Sequence, residues 1–290
     1  MNNKISAYFS LIKFSHTVFA MPFALIGAVL GFKHGQFAQV PWDLFLWVVI
    51  CMFFARSAAM SFNRYTDAKI DALNPRTKNR EIPKGVYKPS EVLIFTLLNA
   101  ILFITATYFI NPLVFYLSPV ALLVILGYSY TKRFTFLSHI WLGLALALAP
   151  LGAYMVFSAT FSLIPLPFSL IVIFWVSGFD VVYATQDADF DKKHGLQSIP
   201  SLLGARKALI VAFLLHLLAM ALVIITGIIF HWSFVYWIGA VIFFIMLSWE
   251  HIMVWNNYSQ KSVNTAFATL NSYAGLLYGI AVIIDVLLLK

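Results

Sequence analysis

The stretch FNRYTDAKIDALNPRTKNREIPKG, residues 62–85, begins where a long apolar run ends. Within it Asn63, Asp67 and Asp71 stand four residues apart, so a helix that continues through the stretch presents all three on one face. Arg56, seven residues before Asn63, lies on the same stripe. Charged side chains in or beside a bilayer are costly unless they face a partner or a wet cavity. We therefore predict that this stripe faces the protein interior and carries function.

A second stretch, FDVVYATQDADFDKKHGLQSIPSLLG at residues 179–204, follows another apolar run and repeats this spacing. Asp180, Tyr183, Asp187 and Asp191 fall on one face of a continuous helix. Two such clusters that face each other can hold hard cations, and through them a strongly anionic ligand. Carboxylates without clustered histidine, in a chain with a single cysteine, favour Mg²⁺ over zinc or copper. We predict that Asp67, Asp71, Asp187 and Asp191 are the metal ligands.

The composition indicates an integral membrane protein. The chain has 290 residues, of which 62% are hydrophobic and 10% charged, and its mean hydropathy is +0.89. A membrane helix needs about 20 mostly apolar residues, and we predict an all-α fold with nine transmembrane helices. Their approximate bounds are Phe14–Phe32, Leu44–Asn63, Val92–Ile110, Leu113–Tyr130, Ile140–Phe157, Phe168–Tyr183, Ala208–Phe230, Phe234–Val254 and Ala266–Leu289.

The distribution of positive charge orients these spans. The formal net charge of +8, taken alone, is compatible with a protein that binds nucleic acid. With a cytosolic N-terminus, however, every Lys and Arg except Lys33, Arg56 and Lys290 falls on the cytosolic side, which is the positive-inside bias of membrane proteins. We therefore expect the lipid bilayer as a partner and no nucleic acid. The expected location is a bacterial inner (cytoplasmic) membrane, with the site on its cytosolic side.

We expect one transmembrane domain across residues 1–290, with two similar units near residues 56–90 and 177–207. Each unit begins with the acidic motif, continues into basic residues and reaches an Ile-Pro turn. An internal pseudo-repeat of this kind often places a site at the interface between the two halves.

Basic residues accompany the acids. Arg76 and Arg80 follow the first motif, and Lys132 and Arg133 come four and five residues after Tyr128. Guanidinium groups pair bidentately with phosphate oxygens, and lysine acts as a compact point charge. Acids that bridge metal to a diphosphate, with cations closing round it, form a coherent site for diphosphate departure. Arg133 is interpreted instead as a positive-inside membrane anchor.

These segments resemble the signature motifs of the UbiA-type intramembrane prenyltransferases. The two acidic stretches resemble the first and second signatures, and YSYTKRFTFLSHIWLG at residues 128–143 is similar to the family's segment around its fourth and fifth helices. The resemblance covers nearly the whole chain and implies the UbiA-type helical bundle. It also implies that diphosphate leaves an allylic polyprenyl donor with help from Mg²⁺, and that the prenyl carbon joins an acceptor, usually an aromatic one.

The resemblance also assigns residues. It implies a metal–diphosphate centre made of Asn63, Asp67, Asp71, Asp187 and Asp191. It also implies that cationic and aromatic side chains lie close to the diphosphate, namely Arg76, Arg80, Tyr128 and Lys132. Arg56, Tyr183 and Asp180, on the same helical stripes, complete the expected substrate-binding set. Many family members carry Asp directly after the first Asn, where this chain has Arg64. That difference favours the quinone-precursor branch, which is similar to 4-hydroxybenzoate polyprenyltransferases.

The expected reaction passes through a cation-like prenyl carbon, for which Tyr128, Phe179 and Tyr183 are candidate aromatic walls. Asp191 is the candidate acceptor for the proton that the aromatic ring loses. A dihydroxynaphthoate-type menaquinone precursor is an alternative to a 4-hydroxybenzoate-like acceptor. A secondary transporter is the alternative from another class, because paired acids and internal repeats also occur in transporters, although their sites lie near the membrane midplane.

Overall fold

The computed structural model describes residues 10–11, 20–35 and 37–289, and the regular secondary structure of these residues is helical throughout. The predicted all-α fold is therefore confirmed. Within residues 20–289 as described, twelve α-helices follow one another, namely α1 Met21–His34, α2 Trp42–Leu73, α3 Pro89–Tyr108, α4 Pro112–Thr131, α5 Ser138–Ser158, α6 Leu166–Ala184, α7 Ala188–Lys193, α8 Ile199–Leu203, α9 Ala205–Ile229, α10 Phe234–Asn256, α11 Gln260–Thr265 and α12 Asn271–Ile284.

Eight helical segments in the described part of the chain are long and apolar enough to cross a membrane. α6 and α7 share one of them, Leu166–Lys193, and α11 and α12 share another, Gln260–Leu288. α1 is apolar but has only 14 residues, and residues 14–19 of the predicted first span lie outside the described residues. The nine predicted spans thus correspond to eight long segments and one short helix.

α2 carries the first motif well past the end of the apolar run. It has 32 residues, so it is roughly 48 Å long, against about 30 Å for the hydrocarbon core of a bilayer. It ends at Leu73 because Pro75 cannot continue a helix and disfavours helical backbone at the residue before it. The helical continuation on which the first acidic stripe depends is therefore present.

The second motif is interrupted. α6 ends at Ala184, and a 3-10 turn covers Thr185–Asp187 before α7 begins. The Thr185 hydroxyl donates to the Val182 carbonyl at 2.6 Å, and the Thr185 carbonyl accepts from the Tyr258 hydroxyl at 3.1 Å. These bonds stabilise a tighter turn than an α-helix provides. The prediction of one uninterrupted helical face through the second motif is wrong in this respect.

α6 lies at the centre of the bundle, packed between α5 and α9. Its Trp175 is fully buried, and the ring centroid lies 5.3 Å from that of Phe23 on α1. Tyr236 and Phe243 of α10 and Tyr278 of α12 belong to the same core. The second motif, which begins in the C-terminal part of α6, is therefore held by a rigid, close-packed scaffold.

α1 and α5 approach closely at Gly27. A Cβ atom placed on Gly27 would lie 2.1 Å from the backbone oxygen of Pro150, far inside van der Waals contact. Only glycine fits at this position unless the two backbones move apart.

We predict that Gly27→Ala destabilises the fold by about 1–3 kcal/mol, the usual cost of overpacking. Gly152→Ala on α5 is the matched control, because a Cβ there meets no atom within 4 Å. The measurement is the thermal midpoint of detergent-solubilised protein, followed by size-exclusion chromatography. Equal midpoints for the two variants would contradict the close approach of α1 and α5.

Candidate functional site

A cavity of about 850 Å³ extends through the bundle beside α2. One end is lined by both acidic motifs and by the basic residues that follow them. Apolar side chains of α2, α4 and α5 form the remaining walls, among them Val48, Met52, Val114, Leu117, Ala121, Leu146, Ala149 and Val156. The cavity thus has a charged end, at the motifs, and a hydrocarbon end, toward the opposite ends of these helices.

Every residue assigned to the site from the sequence lines this cavity. The set is Arg56, Asn63, Asp67, Asp71, Arg76, Arg80, Tyr128, Lys132, Asp180, Tyr183, Asp187 and Asp191. The two motifs therefore face a common space, although residues of the second motif come from both α6 and the turn that follows it.

Arg76 joins the two motifs directly. Its Nε donates to Oδ1 of Asp187 at 2.9 Å, and its Nη2 donates to Oδ2 of the same carboxylate, which makes the pair bidentate. Nη1 of Arg76 also donates to the Tyr183 hydroxyl at 3.0 Å, with the guanidinium 5.3 Å from the ring centroid. Burial opposes the charge of Arg76, but the hydrogen bonds and charge of Asp187 outweigh it and raise the pKa of Arg76. The segment after α2 is thereby tied to the turn after α6.

Both carboxylates of the first motif also contact arginines. Nη1 of Arg80 lies 2.8 Å from each oxygen of Asp71. Asp67 accepts from Nη2 of Arg133 at 2.9 Å and from the side-chain amide of Asn63 at 3.0 Å. Each acid of the first motif is therefore neutralised by a guanidinium.

Lys132, directly after α4, approaches the last acid of the second motif. Its Nζ lies 3.7 Å from Oδ2 of Asp191, which also accepts from the Ser198 hydroxyl at 3.2 Å. Burial opposes the charge of the ammonium, but the surrounding carboxylates, with Asp191 the foremost, outweigh it and raise the pKa of Lys132. Lys132 therefore stays a cation at neutral pH.

Three residues of the site have roles that the sequence did not predict. Arg133 is not merely a membrane anchor, because it lines the cavity and donates to Asp67 and to the Thr66 carbonyl at 2.9 Å. Asn74 donates from its side-chain amide to Oδ1 of Asp187 at 2.9 Å. His139 is fully buried and contacts Asp180. Only Asn74 had a local signal, since it stands between the first motif and Arg76.

The comparison with known proteins agrees with this arrangement. A model of the UbiA prenyltransferase family matches residues 20–273. The 4-hydroxybenzoate octaprenyltransferase of Blochmanniella floridana is 30% identical over 248 residues, which cover 84% of this chain and 84% of the relative. The protein of the same name from Shewanella pealeana is 28% identical over 258 residues, which cover 85% of this chain and 84% of the relative.

Two solved structures have the same fold. The apo structure of a UbiA homolog from Aeropyrum pernix K1 is 29% identical, with a TM-score of 0.84 over 94% of this chain and 98% of that chain. A UbiA homolog from Archaeoglobus fulgidus bound to DMAPP and Mg²⁺ is 20% identical, with a TM-score of 0.72 over 95% of this chain and 98% of that chain.

We predict that Arg133→Gln lowers the thermal midpoint of the ligand-free protein, because it removes the bond from the end of α4 to Asp67 and to the Thr66 carbonyl of α2. Lys192→Gln is the matched control, since it removes one positive charge from an exposed position nearby. Both variants are heated in detergent at one pH and salt concentration. If Lys192→Gln is destabilised as much as Arg133→Gln, the loss of charge alone accounts for the effect and the assigned contacts do not.

Proposed function

This chain belongs to the UbiA prenyltransferase family, and we propose that it transfers a polyprenyl group from polyprenyl diphosphate to 4-hydroxybenzoate in quinone biosynthesis. The names of the relatives support this acceptor. The single observation that carries the proposal is the cavity whose one end is charged and whose other end is apolar. A polyprenyl diphosphate has the same two-part chemistry.

The length of the cavity supports a long donor. Val48 and Asp67 both line it and are 19 residues apart on α2, so they are separated by roughly 28 Å at 1.5 Å per residue. The hydrocarbon tail lies along the apolar walls, and the diphosphate lies among the acids and their cations. Because the walls exclude water, the cation-like prenyl carbon is protected from hydrolysis.

The charged end fits a hard divalent cation by its donor chemistry. Asp67, Asp71, Asp187 and Asp191 offer carboxylate oxygens, which Mg²⁺ prefers. No three Asp, Glu, His or Cys side chains among the described residues form a group that could hold a metal ion, and each of these carboxylates contacts a lysine or an arginine. The bound ion supplies neutralisation of the charge that develops on the departing diphosphate. The Archaeoglobus homolog bound to DMAPP and Mg²⁺ supports this choice of ion.

The cations that now hold the acids then serve the diphosphate. Arg76, Arg80 and Lys132 lie on the segments that follow α2 and α4, beside the carboxylates. If the carboxylates held a metal ion, these side chains would be free to turn to the phosphate oxygens, where their positive charge would stabilise the leaving group. Tyr128, Phe179 and Tyr183 present aromatic side chains to the cavity for the prenyl cation.

Arg56 supplies a cation deeper in the cavity. It lies seven residues before Asn63, about 10 Å farther along α2 at 1.5 Å per residue. A guanidinium at that depth suits the carboxylate of a small aromatic acid. The acceptor ring would then lie between Arg56 and the reacting prenyl carbon.

The charge distribution supports a cytosolic site in a bacterial inner membrane, because the basic residues cluster on the side of the motifs. The same position argues against the secondary transporter, since the acids lie at the ends of helices and not near the midplane.

We predict that Asp187→Ala abolishes prenyl transfer, because it removes a proposed metal ligand and the partner of Arg76. Asp189→Ala is the matched control, as Asp189 is exposed and does not line the cavity. Membranes that contain each variant are assayed for prenylated product. Turnover of Asp187→Ala near the wild-type rate would refute its role.

The acceptor is tested with a small panel, in which wild-type membranes receive polyprenyl diphosphate and Mg²⁺. We expect the prenyl group ortho to the hydroxyl of 4-hydroxybenzoate, identified by mass spectrometry, and a weaker reaction with a dihydroxynaphthoate. A preference for the dihydroxynaphthoate would assign the menaquinone alternative. No product with any aromatic acceptor would overturn the proposed function.

A further inference from the structure

Asp180 differs from the other four aspartates that line the cavity. Those four contact lysine or arginine side chains, whereas Oδ2 of Asp180 lies 2.7 Å from Nδ1 of His139 on α5. The histidine side chain is 0% exposed and the aspartate side chain 13% exposed. The carboxylate is therefore open on one side to the cavity and held on the other by a buried imidazole.

The hydrogen bonds of His139 fix its tautomer. The backbone N–H of Ile199 points to Nε2 of His139 at 3.4 Å, so Nε2 presents its lone pair. The proton of a neutral imidazole then resides on Nδ1, which donates it to Asp180. This hydrogen bond engages Oδ2 of Asp180. The other oxygen, Oδ1, takes part in no hydrogen bond with any residue that the structure describes, and is left to act on a ligand in the cavity.

The depth of Asp180 suits the acceptor ring. It lies seven residues before Asp187, about 10 Å farther into the bilayer along α6 at 1.5 Å per residue. Under the proposed function the diphosphate lies beside Asp187, and the tail extends to the apolar end of the cavity. The bond between prenyl carbon and ring must therefore form deeper than Asp187. Asp191 lies on the opposite, charged side, where Lys132 and Ser198 contact its carboxylate.

We propose that Asp180 is the general base of the transfer, and that His139 positions it. This inference rests on the proposed function and replaces Asp191 in the role of proton acceptor. The C–O bond of the donor breaks, and its electron pair leaves with the diphosphate. The π electrons of the ring carbon ortho to the hydroxyl form the new C–C bond. The electrons of the C–H bond at that carbon restore aromaticity, and its proton passes to Oδ1 of Asp180, which later releases it to water.

The decisive variant is Asp180→Asn, which keeps the size of the side chain and removes its basicity. We expect transfer to 4-hydroxybenzoate to fall on the order of 100-fold or more, the usual contribution of a general base. Cleavage of the donor to prenyl alcohol in the absence of acceptor should fall much less than transfer, because the cations beside the diphosphate site contact Asp67, Asp71, Asp187 and Asp191. Asp187→Asn is the comparison that loses both reactions.

An isotope effect separates a base from a structural residue. With 4-hydroxybenzoate deuterated at both positions ortho to the hydroxyl, loss of the ring proton becomes rate-limiting when its acceptor is removed. We therefore expect a primary deuterium effect in Asp180→Asn that is larger than in the wild type. Asp180→Glu, which restores a carboxylate, should recover part of the rate and return the isotope effect toward the wild-type value.

His139→Asn tests the positioning role, since an amide N–H can still donate to Asp180. It should retain more transfer than His139→Leu, and in both variants donor cleavage should fall less than transfer. Equal transfer in these two variants contradicts the role of His139.

Two outcomes overturn the role of Asp180 while leaving the proposed function intact: transfer by Asp180→Asn near the wild-type rate, or loss of donor cleavage in parallel with transfer. An enlarged isotope effect in Asp191→Asn but not in Asp180→Asn would return the role to Asp191. Wild-type membranes that prenylate no aromatic acceptor would overturn the proposed function and this inference together.

Discussion

Four ion pairs between neighbouring segments govern the structure of this site. Asp67, Asp71, Asp187 and Asp191 lie in or beside an apolar bundle, where an ion without a partner costs several kcal/mol. Each is held by a cation from a different segment or from the chain just beyond the motif. The pairs connect α2, the end of α4 and the turn after α6. The contacts that neutralise these carboxylates inside the bundle thus also hold the two motifs around one cavity.

The pairing of each carboxylate with a cation also explains how the site can accept a highly charged donor. The cavity has an apolar wall and a charged end with balanced charge, and each of these four carboxylates has a cation beside it. Diphosphate and divalent ions would bring their own charges, and acids and cations could exchange partners so that each protein charge keeps an opposite charge beside it. Such an exchange costs less than separating charges in a low dielectric.

The sequence predicts the class of fold and the residues around the cavity because both follow from local patterns. Apolar runs of membrane length, acids at helical spacing and the continuation of α2 through its motif are all visible within a few dozen residues. The pairings are not, since Arg76 meets Asp187 from 111 residues away and Arg133 meets Asp67 from 66 residues away. The Thr185 carbonyl in the 3-10 turn after α6 accepts a hydrogen bond from Tyr258, 73 residues away. His139 gave no signal, because a lone histidine near a helix start is usually structural.

The most direct measurement is an experimental structure of the wild-type protein with Mg²⁺ and a non-hydrolysable prenyl diphosphate analogue. We expect the diphosphate to lie between the first and second motifs with its tail along the apolar wall. We also expect Arg76 to have left Asp187 and to contact phosphate oxygens. A diphosphate bound elsewhere, with all four ion pairs intact, would contradict the exchange of partners on which the account depends.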